Sequence, residues 1–124
     1  MKKAWKVCRR GFAGKYLSVT AQLGVWVQYV IDEKAQTPFG PPSCFDSREN
    51  ASLFVGALNC LPWDWVILEC DAEEVEPVLG MCSWGTAAYL RDWWRGGRKL
   101  DNFTSDAPKC SVWAYGLVPR REVA

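Results

Sequence analysis

The chain has 124 residues, 49% of them apolar and 23% charged, with a formal net charge of +1. That balance fits one globular domain with a sizeable core and excludes an intrinsically disordered or fibrous chain. Eight tryptophans stand against no histidine: the commonest general base near neutral pH is missing, while the side chain worth most at a binding hot spot is abundant, so composition favours binding over turnover.

In residues 5–10, Trp5, Val7 and Arg9 alternate with Lys6, Cys8 and Arg10, the two-residue period of a half-buried strand. Gly11 and Gly14 bracket a turn, and Leu17, Val19 and Ala21 then alternate with Tyr16, Ser18 and Thr20, predicting a second strand paired to the first as a hairpin. The same glycines stand too close together for a phosphate loop, and Tyr16 follows Lys15 where such a loop needs Ser or Thr. Residues 25–31, rich in β-branched and aromatic side chains, predict a third strand. Prolines 38, 41 and 42 with Gly40 predict a loop.

Asp46 and Glu49 have the spacing of a helix N-cap and its N3 partner, and Ala51, Phe54, Val55 and Leu58 form one apolar stripe that would face a sheet. Gly56 weakens such a helix by ~1 kcal/mol relative to alanine and hints at close packing. Asn59 and Pro62 end it. Residues 63–70 predict a central strand with Trp63, Trp65 and Ile67 on one face, and residues 71–77 an acidic strand end or loop. Trp84, Ala87, Ala88, Arg91 and Trp94, following Ser83, have the spacing of a short second helix that Gly96 and Gly97 stop. A polar excursion over 98–109 leads into a last strand over 110–118, with Pro119 keeping its end out of an interior ladder. This order predicts an α+β fold in a single domain over 1–124: a mainly antiparallel sheet with one or two helices packed on one face.

Charge is unevenly spread. Lys2, Lys3, Lys6, Arg9, Arg10 and Lys15 precede the first acid, whereas residues 32–80 are strongly acidic. Either an electropositive face results, or basic terminal strands lie beside an acidic segment and the fields cancel. No apolar run approaches the ~20 residues that cross a bilayer, and the start lacks the apolar region of a secretory signal, so a cytoplasmic location without membrane contact is expected. There the six cysteines are expected as buried free thiols rather than three disulfides. With no CxxC pair and no histidine, no metal is expected, and nothing calls for a cofactor. Acidic neighbours should raise the pKa of Cys70, whereas Cys8 and Cys110, nearer Lys and Arg, are the thiols to test for reactivity.

Trp93, Trp94, Arg95, Arg98 and Lys99, set around a diglycine, form the main candidate binding site. Adjacent indoles and cations suit a protein hot spot, and they also suit stacking on bases with the cations on phosphates. Neighbours on a helix point about 100° apart, so Trp93 and Trp94 do not share a pocket unaided. A second candidate sets Arg9, Arg10 and Arg95 on the phosphates of a nucleotide, with Glu69 as the acid or base if the chain is an enzyme. Glu69, Asp71 and Glu73 alternate and would share a strand face, the ordinary look of a solvated strand end.

The segment Phe45-Asp46-Ser47-Arg48-Glu49-Asn50-Ala51, with Phe54-Val55, Glu69-Cys70 and Val118-Pro119-Arg120-Arg121-Glu122-Val123, resembles small uncharacterised α+β proteins of phage and prokaryotic genomes over about half of the chain. The resemblance implies a small cytoplasmic protein from a mobile element and brings no catalytic residue. The leading expectation is a non-catalytic inhibitor or regulator that binds a protein partner through its Trp and Arg surface. A nucleotide-binding module and a single-stranded nucleic-acid binder are the alternatives, and an open strand edge would allow a homodimer.

Overall fold

The alternation of the N-terminal residues is realised as β1 (Lys2–Arg10), three residues longer at its start than the pattern in residues 5–10. The computed structural model describes residues 1–22, 25–37, 40–58, 64–78, 81–82, 104–105 and 110–123. β2 (Lys15–Gln22) and β3 (Val25–Val30) continue as a meander, with Arg10 opposite Tyr16 and Tyr16 opposite Tyr29. Then follow β4 (Ser43–Phe45), α1 (Arg48–Ala57), β5 (Trp65–Ala72), β6 (Glu74–Pro77), β7 (Met81–Cys82), β8 (Thr104–Ser105), β9 (Ser111–Tyr115) and β10 (Val118–Val123).

The result is a mainly antiparallel sheet with one helix among the described residues. Its pairing order is β10-β5-β1-β4-β9-β6, with β2 and β3 leading off β1, while β7 and β8 form a separate ribbon. β1 has β5 along one edge and divides the other, placing Trp5 opposite Phe45 of β4 and Cys8 opposite Ser18 of β2. At the far end of the path, β6 continues β5 through the single residue Glu73, so the sheet curls back on itself without closing into a barrel.

Strand alternation sorts β1 and β5 into two faces. Ala4 and Cys8, with Val66, Leu68, Cys70 and Ala72, join Tyr29, Cys44, Val112, Ala114 and Leu117 in the larger core cluster. Lys6 shares that face and is only 8% exposed. Its Nζ donates to the Ser43 carbonyl at 2.8 Å and sits 5.7 Å from the centre of the Tyr29 ring, so the buried charge is answered by a carbonyl and a π face. On the other side, Val7 and Ile67 lie opposite each other and cluster with Phe45 and the fully buried Ala51 of α1. The rings of Phe45 and Phe54 meet there at 5.2 Å, tilted by 39°.

The helix is capped by Ser47 rather than Asp46. Ser47 Oγ accepts from the Asn50 backbone N–H at 3.2 Å, the N3 position, while Asp46 Oδ1 accepts from the Asn50 side-chain amide at 3.0 Å. Beyond its own helix, no described residue lies within 4 Å of where a Cβ on Gly56 would stand, so the close packing expected there is not seen among the described residues. The acidic stretch after Ala72 forms β6, paired with β9. The last alternating pattern is two strands, because Gly116 turns the chain between β9 and β10 with φ +63°. Pro119 lies inside β10, opposite Cys70, where the register shifts before Arg121; an edge strand and a bulge tolerate its missing N–H. Met81 and Cys82 belong to β7, and the remainder of the predicted second helix, residues 83–94, lies outside the described residues, as do Asn59, Pro62 and Trp63.

Candidate functional site

Trp93, Trp94, Arg95, Arg98 and Lys99 lie outside the described residues. Arg9 and Arg10 are consecutive in β1, so alternation sends them to opposite sides of the sheet and they do not converge on one phosphate. The Arg10 guanidinium is held by two carboxylates, Asp64 Oδ2 at 2.5 Å and Glu122 Oε1, and Tyr16 Oη donates to the other Glu122 oxygen at 3.0 Å.

Glu69 receives Arg121 Nε at 2.8 Å, and this hydrogen bond holds its carboxyl below the ordinary range. An ionised carboxylate occupied by a guanidinium is a poor proton donor at neutral pH. Two residues along β5, Asp71 takes Lys3 Nζ at 2.8 Å and Arg120 Nε at 2.9 Å, and Arg120 also reaches Asp32 at 3.0 Å. Cations from β1 and β10 therefore stand beside the carboxylates of β5. Of the two outcomes the charge pattern allows, these pairs follow the cancelling one.

Burial pushes the Cys8 thiol up to about 12 and the Cys44 thiol up to about 11, and it raises Cys70 as well. For Cys70 the cause is loss of water rather than acidic neighbours. Cys8, expected among the reactive thiols, is sealed in the core, whereas Cys110 is partly exposed. Cys60 and the Cys82 side chain lie outside the described residues.

A cleft of about 240 Å³ is built by β5, β10 and α1 together. β10 pairs with β5 as far as Val123 opposite Ile67, leaving Trp65 and Val66 beyond its last described rung. Val55 and Ser52 of α1 supply another wall, and Arg10 and Glu122 form the rim. A cavity of ~150 Å³ holds a benzene ring, whereas pockets for whole drug-sized ligands run from about 300 to 1,000 Å³. The cleft is thus sized for one large side chain. Its lining joins the apolar Val55, Trp65, Val66, Ile67 and Val123 to the polar Ser52, Arg10 and Glu122, and Arg10 is bound by both Glu122 and the neighbouring Asp64. Sequence reasoning singled out Arg10 but not the cleft, because Val55, Trp65 and Val123 are distant in sequence and only the strand register brings them together.

Among the described residues no helix is long and apolar enough to cross a membrane. Comparison with protein-family models, with curated proteins and with solved structures finds no match.

Proposed function

We propose that this chain is a small non-catalytic binding protein whose partner is another protein, and that the cleft between α1, β5 and β10 takes up an apolar side chain of that partner. The size and lining of the cleft carry the reading: about 240 Å³ with walls of Val55, Trp65, Val66, Ile67 and Val123. In this reading α1 covers one face of the sheet and forms a wall of the site. A nucleotide is the weaker fit, since a phosphate at Arg10 would meet the like charges of Asp64 and Glu122. The pairing of Glu69 with Arg121 likewise favours binding over catalysis. Trp93, Trp94, Arg95, Arg98 and Lys99 are proposed as a second contact, having the composition of a hot spot. A cytoplasmic inhibitor or regulator is the role proposed for such a surface.

Panning a random peptide library against the folded protein tests this. Retained peptides should carry a large apolar residue with Lys or Arg close by. Binding lost in Ser52→Arg, an exposed position on the cleft wall, assigns the contact to the cleft; binding lost only in Trp94→Ala assigns it to residues 93–99. A nucleotide that raises the melting temperature of the wild type but not of Arg10→Ala would overturn the reading in favour of a nucleotide module.

A further inference from the structure

We propose that the cleft is filled by the β1–β2 hairpin tip of a second copy of this chain, so that the protein forms a self-complementary dimer with Phe12 of each copy seated in the other. The proposal rests on the reading that the cleft takes an apolar side chain, and it names the partner that supplies one. Phe12 is 93% exposed, the most exposed of the large apolar side chains described. The backbone holds it there: Lys15 N–H donates to the Phe12 carbonyl at 3.1 Å and Gly11 N–H to the Lys15 carbonyl at 2.9 Å, with Ala13 and Gly14 at φ +56° and +72°. Positive φ at both central residues, Ala13 and Gly14, is the geometry of a tight hairpin turn, and it fixes Phe12 at the corner of the tip.

Knob and hole also lie at one end of the molecule. Arg10 lines the cleft, and Phe12 follows it by two residues, about 7 Å of extended chain. At 93% exposure Phe12 does not fill its own cleft. Charge agrees with the exchange. The exposed Lys15 rides on the tip beside Phe12, and the facing cleft carries Glu122 in its lining, with Asp64 bound to the same Arg10 guanidinium. A two-fold axis through this end repeats each contact, giving two rings in two clefts and two lysines beside two Glu122 carboxylates. A phenyl ring needs little more room than the benzene that a ~150 Å³ cavity accepts.

Sedimentation of the full chain from micromolar to millimolar concentration tests the dimer. The wild type should associate. Phe12→Ser and Ser52→Arg, both at exposed positions, should each weaken association by at least about tenfold, as loss of an aromatic anchor does. Mixed together, the two variants should associate more strongly than either alone, because one intact knob then meets one intact hole. A wild type that stays monomeric at every concentration overturns the dimer; if the library peptides still bind and are lost in Ser52→Arg, the cleft retains its function with another protein as occupant. Association that neither variant changes also overturns it, placing the interface elsewhere. Lys15→Glu should weaken association, and rescue of that variant by added salt identifies the charge contribution.

Discussion

Gly116 carries a constraint that a single substitution exposes. Its φ of +63° lies in the left-handed region, and an added Cβ would stand 2.5 Å from Glu73 Cδ. Gly116→Ala should therefore destabilise the fold by about 1–3 kcal/mol, read as a lower urea midpoint at unchanged slope. Ala13, at φ +56°, holds the opposite opportunity. Ala13→Asn should stabilise the hairpin by about 1 kcal/mol in the same measurement, because asparagine accepts left-handed backbone more readily. Burial of Cys8 and Cys44 has a signed consequence for pH. Their folded pKa values are raised from the ordinary 9.0 to about 12 and about 11, so below 9 the folded and unfolded thiols are equally protonated. Above 9 the unfolded chain releases protons that the folded core retains, and stability should fall as pH climbs toward the folded values. In the folded protein at pH 8, a thiol reagent should leave Cys8, Cys44 and Cys70 unmodified.

At the scale of single elements, the helix start and the charged edge of β5 give separable tests. Ser47→Ala should cost about 1 kcal/mol by removing the acceptor for the Asn50 N–H, and Asp46→Ala should cost less, since Asp46 bonds only a side-chain amide. Glu69 and Asp71 have lowered pKa values from hydrogen bonds with Arg121, Lys3 and Arg120. Their contribution is complete above the ordinary carboxylate values of 4.5 and 3.8 and is lost as pH falls below them. A pH series of urea midpoints should show this acid loss in the wild type and less of it in Asp71→Asn. The elements that sequence patterning found are those with a sustained period: β1 through Trp5, Val7 and Arg9, and α1 through Ala51, Phe54 and Val55. β4 spans only Ser43–Phe45 and shows no period in so short a run. The break at Gly116 hid inside an alternation that continues on both sides of it. The cleft was illegible for a different reason: it depends on the register of β10 along β5, which shifts between Pro119 and Arg121, a long-range fact that no local window contains.

At the scale of the molecule, the uneven charge of the sequence is locally paired among the described residues, with Lys3, Arg10, Arg120 and Arg121 each beside a carboxylate. Exposed charge pairs of this kind add little stability and leave little net field, so long-range attraction of a polyanion is not what the described surface offers. What it offers is shape: a cleft with apolar side chains inside and Arg10 and Glu122 at its rim, at the end of the molecule where Phe12 projects. The central claim is that this cleft accepts the apolar side chain and the neighbouring cation of the β1–β2 hairpin tip. Its most direct test is an NMR titration of isotopically labelled Phe12→Ser protein with a cyclised peptide of residues 9–16. Saturable shifts confined to Ser52, Val55, Trp65, Val66, Ile67 and Val123, and abolished in a protein that also carries Ser52→Arg, are the predicted result. Shifts centred on residues 93–99, or none at all, would contradict it.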